Sequence, residues 1–197
     1  GFTLTEVGIS GAGALTDVVD GLTGGIDQQF MAGNGDWYAF GQLADDATNW
    51  AVRNGELIAA SGDEIFAGAG ESWDDPANAI QDFSVFVGNS LGDFLLGGLT
   101  DTGDEVLVLN GAEVVLRSGD GIDLDGNGLL DDGVFFGSFE FQETRLGDNL
   151  AVYSLVNLID ANGIGIGSAF VTLQVPSPGA GALLGGAVCL AARRRRI

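Results

Sequence analysis

Residues 92–122 read GDFLLGGLTDTGDEVLVLNGAEVVLRSGDGI. A Gly-Asp pair opens an apolar run of strand length, a turn rich in Asp and Gly follows, and a second apolar run reaches Asn110-Gly111. Asn-Gly between two apolar runs is a hairpin signal, because both residues accept the positive φ that a tight I′ turn demands. A third short run then ends at Ser118-Gly119-Asp120. The stretch therefore reads as strand, turn, strand, hairpin turn, strand, loop.

Outward from this stretch the pattern recurs. Ser118-Gly119-Asp120-Gly121-Ile122 stands 57 residues after Ser61-Gly62-Asp63-Glu64-Ile65, and the match continues without a gap to Asp131-Asp132 against Asp74-Asp75. Asn110-Gly111 answers Asn54-Gly55. Gly-Asp, an apolar strand and a further Asp appear from Gly35 to Asp45, from Gly92 to Asp101 and from Gly147 to Asp160. Phe-rich runs at 83–87 and 134–141 supply a further strand per unit. A fixed period has to be recognised before any fold is assigned. The expected fold is all-β, with repeated antiparallel units of about 56 residues arranged as propeller-like blades, a sandwich or a solenoid.

These markers divide an acidic β-repeat body, residues 1–174, into a half unit 1–34, units 35–91 and 92–146, and a half unit 147–174. A chain cut in mid-unit leaves strand edges that need partners. Either the halves close on each other within one chain, or each closes on a neighbour and a filament grows. Three blades are few for a propeller, so the intermolecular solution is the expectation.

Composition narrows the chemistry. The 197 residues are 46% apolar, enough to bury a core, and 34 Gly with 3 Pro suit short strands and tight turns better than helices. The net charge is −21; residues 1–192 hold all 28 acids and only Arg53, Arg117 and Arg145 as bases. A surface of that sign repels phosphate, which excludes nucleic acid as a partner. The chain has no His, and its single Cys189 lies in an apolar segment near the C-terminus. That removes His-assisted nucleophiles and thiolate zinc sites, leaving carboxylates and hard cations. Adjacent acids such as Asp45-Asp46 and Asp74-Asp75 point to opposite faces of a strand and make poor glycosidase pairs. No enzymatic activity is expected. Trp37, Trp50 and Trp73 suit a sugar platform or, at alternate strand positions, a core.

The strongest motif is Asp123-Leu124-Asp125-Gly126-Asn127-Gly128-Leu129-Leu130-Asp131-Asp132. Oxygen-bearing side chains at positions 1, 3 and 5, Gly at 6 and an acid at 9 fit a Ca²⁺ loop. The loop resembles thrombospondin-type and dockerin-type repeats. Position 12 is Val134 in place of the bidentate Glu, so Asp131 or Asp132 is expected to supply the closing carboxylate, with affinity at the weak extracellular end. On the gapless repeat, Phe66, Gly68 and Gly70 occupy the places of Asp123, Asp125 and Asn127, so this ligand set belongs to one unit alone.

The C-terminal segment, 175–197, begins Val175-Pro176-Ser177-Pro178, continues as GAGALLGGAVCLAA over 179–192, and ends Arg193-Arg194-Arg195-Arg196-Ile197. As a short apolar helix the run would rise about 21 Å, less than the roughly 30 Å of a bilayer core, which suits transient anchoring. A Pro motif, a Gly/Ala/Leu run and terminal arginines resemble the PEP-CTERM sorting signal of Gram-negative and planctomycete-type bacteria; Ser177 stands where that family usually has Glu. The resemblance implies export, processing near Pro176 to Pro178 by a membrane exosortase, only transient membrane contact, and delivery to the cell surface or matrix. A start at Gly1-Phe2-Thr3 without Met accords with an exported chain whose signal peptide precedes this numbering. The combined expectation is an extracellular structural protein that self-associates into a homopolymer and binds Ca²⁺. Its rival is a calcium-dependent module that binds extracellular polysaccharide.

Overall fold

The computed structural model describes residues 26–42, 48–74, 83–175 and 191–192, and those residues form an all-β structure with no helix among them. There are three antiparallel sheets, each a meander of four strands. Sheet 1 consists of β1 (Ile26–Met31), β2 (Trp37–Gln42), β3 (Asn49–Arg53) and β4 (Glu56–Ala60). Sheet 2 consists of β5 (Phe83–Gly88), β6 (Phe94–Leu99), β7 (Glu105–Leu109) and β8 (Glu113–Arg117). Sheet 3 consists of β9 (Val134–Leu146), β10 (Ala151–Asp160), β11 (Gly165–Gln174) and β12 (Ala191–Ala192).

The Asn-Gly pairs make the tight turns their chemistry favours. Asn54 and Gly55 have φ of 53° and 83° between β3 and β4, and Asn110 and Gly111 have 53° and 60° between β7 and β8. The Gly-Asp markers lie elsewhere than the repeat boundaries require. Gly35, Gly92 and Gly147 sit inside the first hairpin of each sheet, so each sheet begins one strand before its marker. Backbone bonds from Ala32 N–H to the Asp36 carbonyl (2.8 Å) and from Gly35 N–H to the Ala32 carbonyl (3.0 Å) close the first of these turns. A short turn brings its two strands together at less entropic cost than a distant partner would. Thus β1, the end of the expected half unit 1–34, pairs with β2 of the same chain, Phe30 opposite Tyr38 and Met31 opposite Trp37.

The sheets pack through alternating faces. From sheet 2, Phe83, Phe86, Phe94, Leu96, Val106 and Val108 meet Tyr38, Phe40, Ala51, Ile65 and Trp73. On its other side Val85, Val87, Leu95, Leu107 and Leu109 meet Phe136, Phe139, Val152, Val156, Leu158 and Val171. Sheet 2 is apolar on both faces because both are covered, and its strands read as nearly continuous apolar runs. Edge-on aromatic contacts lock the first interface, Tyr38 to Phe86 and Trp73 to Phe83, each with centroids 5.2 Å apart. Gly88 is required here: a Cβ at that position would overlap the Tyr38 ring.

The body's packing extends through Val175, which is buried in the sheet 2–sheet 3 core and donates its N–H to the Leu150 carbonyl at 3.2 Å. Of the apolar helix expected over 179–192, only Ala191 and Ala192 are described; they form β12, opposite Thr172 and Val171.

Candidate metal centre

Two connections join successive sheets, and backbone hydrogen bonds set their correspondence. After sheet 1, Gly62 N–H donates to the Trp73 carbonyl (3.1 Å), Trp73 N–H to that of Asp63 (2.9 Å), and Ile65 N–H to that of Glu71 (3.0 Å). After sheet 2, Gly119 N–H donates to the Phe136 carbonyl (2.8 Å), Phe136 N–H to that of Asp120 (2.8 Å), and Ile122 N–H to that of Val134 (2.9 Å). Trp73 therefore corresponds to Phe136, and Glu71 to Val134. Between the anchors lie residues 66–70 in one connection and 123–133 in the other, an insertion of six residues.

This corrects the gapless alignment. Asp74 corresponds by its anchors to Gly137 rather than to Asp131, and Phe66, Gly68 and Gly70 are not the counterparts of Asp123, Asp125 and Asn127. Acid pairs near both loop ends matched by coincidence, while the backbone bonds that define the register leave no side-chain signature. The acidic loop is extra chain.

Inside it, Asp123 is 2% exposed although it lies in a loop. Its carboxylate accepts N–H groups of Gly126 (2.6 Å), Asn127 (3.2 Å) and Gly128 (2.8 Å). Gly126 and Gly128, at φ 77° and 85°, give the backbone the reversals that aim those amides inward. Burial pushes the Asp123 carboxyl up, but the amides of Gly128, Gly126 and Asn127 together outweigh it and leave the group below its ordinary range. Asp132 accepts the N–H groups of Leu124 (2.6 Å) and Asp125 (3.3 Å), folding the end of the loop back over its start. Asp125 accepts the Asn127 N–H (3.0 Å) and side-chain amide (3.1 Å).

Carboxylate oxygens of Asp123, Asp125 and Asp132 lie within 4.8 Å of one another. Each ionised carboxylate has about four lone-pair sites, so amide bonds leave room for a cation. Asp131 is exposed and stands outside this trio, and the Asn127 Oδ1 accepts the Leu129 N–H at 2.7 Å. Val134 at position 12 is a strand residue at the start of β9; Asp132, two residues earlier, brings an acid to the loop's start instead.

The first connection uses charge differently. Arg117 of β8 reaches both Glu71 and Asp104, the latter at 2.8 Å. The guanidinium bonds hold the Glu71 carboxyl down at about 2 against the opposing effect of burial. A similar clamp ties the Gly-Asp and Asn-Gly turns of sheet 1: Asp36 accepts Arg53 (2.6 Å), Asn54 (2.8 Å) and Asn34 (3.0 Å), which lowers it to about 2. In sheet 2, Asp93 accepts Asn110 (3.0 Å) and Asn89 (3.1 Å). The recurring pairs are thus structural, each joining two turns at one end of its sheet. Scarcity was the signal for the arginines: a chain with only three in its body spends two of them on these clamps.

Trp50 and Trp73 are fully buried in different clusters and Trp37 is half-buried, so the three form core and not a shared platform. Asp45, Asp46 and Asp75 lie outside the described residues, as do Pro176, Pro178 and Arg193 to Arg196 of the sorting motif. No described helix is long and apolar enough to cross a membrane. No family model, curated protein or solved structure matches this chain.

Proposed function

We propose that this chain is an extracellular structural protein of the bacterial surface or matrix that self-associates into a homopolymer and is stiffened by Ca²⁺ in the 123–132 loop. The observation that carries the reading is the insertion: at one sheet junction, six added residues accompany three converging carboxylates, where the shorter counterpart, residues 66–70, holds no acid. A loop of this ligand count binds Ca²⁺ at about 10⁻⁴–10⁻³ M, a range that fills only where Ca²⁺ is millimolar, outside the cell. Bound ion stiffens the junction between sheet 2 and sheet 3, because the loop it closes is anchored through residues 119–122, which follow β8, onto β9.

The finer architecture in this reading is propeller-like. The first strands of the three sheets lie next to one another, β5 between β1 and β9, as the inner strands of neighbouring blades do. The sorting-signal resemblance of 175–197 supports surface delivery, with an exosortase-type enzyme acting on the segment that follows buried Val175. Since β1 pairs within its own chain, self-association by strand pairing uses the remaining sheet edges.

Calorimetry and sedimentation of the full chain in Ca²⁺ and in chelator test this. Ca²⁺ is expected to raise Tm and to accompany growth of assemblies. A chain that shows neither a heat of Ca²⁺ binding nor association at any concentration overturns the reading.

A further inference from the structure

Strand β11 runs out of the body. Five of the six residues from Gly165 to Phe170 are exposed, whereas Val171 and Leu173 bury into the core. Along one edge β11 pairs with β10 from Gln174 to Gly165. Along the other, β12 meets only Val171 and Thr172, so among the described residues no strand lies beside the outer edge from Gly165 to Phe170.

Proteins blunt such edges with charge, Pro, bulges or cover. Among the described residues the only such device here is a bulge, at the register shift opposite Leu158 and Ile159; residues 161–174 hold no charged residue and no Pro in a chain of net charge −21. The same stretch exposes Ile164, Ile166 and Phe170 at 61%, 50% and 49%.

We infer that this edge receives a second copy of the chain, β11 on β11 and antiparallel, about a two-fold axis near Gly167, joining two four-stranded sheets into one. The inference rests on the self-association reading and names its surface. Charge selects the occupant. Two copies at −21 repel over most of their surfaces, and an uncharged strand is where they approach without that opposition, whereas a cationic partner is drawn to the acids. Antiparallel pairing also sets the Ile164 end of one strand beside the Phe170 end of the other, covering the apolar side chains that each copy exposes. A two-fold contact closes after two copies. The pair is then the unit from which a longer polymer grows through a second contact.

Sedimentation equilibrium of the full chain in Ca²⁺ and moderate salt tests this. Wild type is expected to form reversible pairs or assemblies of them. Ile166→Glu/Phe170→Glu is expected to raise the dissociation constant at least about tenfold, and Leu91→Glu, the same charge on a residue 71% exposed in the β5–β6 turn, to leave it unchanged. In a Cys189→Ser background, an equimolar mixture of Ile166→Cys and Ser168→Cys chains is expected to form mixed disulfide-linked dimers on oxidation, because the two-fold sets residue 166 opposite residue 168 of the second copy, and Leu91→Cys chains are not; this arm decides if the double Glu variant fails to fold by circular dichroism. Wild-type association retained in the folded Glu variant, or absence of the mixed dimer of Ile166→Cys and Ser168→Cys chains, overturns the β11 edge and leaves self-association standing. A wild type monomeric at every concentration overturns both.

Discussion

The connections between sheet 1 and sheet 2 and between sheet 2 and sheet 3 start from the same Ser-Gly-Asp and rest on corresponding backbone bonds, yet they handle charge in opposite ways. The first places Glu71 against Arg117 and needs nothing from outside the chain. The second gathers Asp123, Asp125 and Asp132 around backbone amides, an arrangement whose mutual repulsion falls when a cation enters. In one chain, then, an internal ion pair and a proposed external ion serve the same task of holding adjacent sheets together. The difference follows from loop length: residues 66–70 are too few to bring several carboxylates to one point, whereas 123–133 are enough.

The largest expected effect strikes the first connection. Arg117→Met keeps the aliphatic stem but leaves Glu71 without its cation, at an expected loss of about 2 kcal/mol, discounted for the partial exposure of the guanidinium. That is about 4–8 °C in Tm for a chain of this size. The pH dependence has a definite sign. Glu71 is held near 2 in the folded state against an ordinary 4.5, so its contribution is complete above about pH 4.5 and is lost as pH falls toward 2. Acid unfolding of the Arg117→Met variant is therefore expected to be shallower across that window. Equal slopes for variant and wild type would break the account of this junction.

Asp123→Asn/Asp125→Asn addresses the second connection. At about 2 mM Ca²⁺ and a dissociation constant of about 10⁻⁴–10⁻³ M, linkage stabilises the wild type by about 0.6–1.8 kcal/mol. Thermal melts are expected to show that increment in wild type and not in the variant. An equal loss in chelator would make the carboxylates organisers of the loop and nothing more.

How much of this was legible in the sequence depended on whether side chains or backbone carried the information. Asn54-Gly55 and Asn110-Gly111 stood out because a positive φ restricts residue choice, and the all-β class followed from short apolar runs between such turns. The Asp123 motif was legible in part, since oxygen-bearing side chains at set spacing are a side-chain pattern: Asp123 and Asp125 come together with Asp132, one of the two acids read as able to close the loop, while Asn127 turns its Oδ1 to the Leu129 N–H. The grouping of strands was not. Gly35, Gly92 and Gly147 mark the middle of a first hairpin as readily as the start of a unit, and only the pairing of β1 with β2 decides. The six-residue insertion was hidden because two Asp-Asp pairs aligned across it, while its ends are fixed by amide-to-carbonyl bonds that any residue can make.

Loop exchange sharpens the comparison with a smaller effect. Replacing residues 123–133 by the 66–70 sequence FAGAG joins anchors that already correspond, Ile122 with Val134 as Ile65 with Glu71. The chimera is expected to fold, to lose all response to Ca²⁺, and to melt in chelator within a few degrees of wild type, since most of the removed residues are exposed. Failure to fold would mean that the longer loop contributes packing that the shorter one cannot replace, with partly buried Leu124, which lies against the sheet 2–sheet 3 core, the first residue to restore.

The smallest effect discriminates most finely. Asp131 and Asp132 are neighbours with the same chemistry, and the motif alone left either able to close the loop. The structure separates them: Asp132 accepts the Leu124 and Asp125 amides and joins the trio, while Asp131 is exposed and outside it. Asp131→Asn is therefore expected to leave the Ca²⁺-dependent rise in Tm within about 1 °C of wild type, because an exposed charge outside the ligand set adds only a screened long-range attraction. Asp132→Asn is expected to remove most of the rise, keeping the shape of the side chain but not its charge. Titration calorimetry on the two variants side by side checks the assignment: if Asp131→Asn weakens Ca²⁺ binding as much as Asp132→Asn does, the ion draws on the acidity of the whole loop and the three-carboxylate site is wrong.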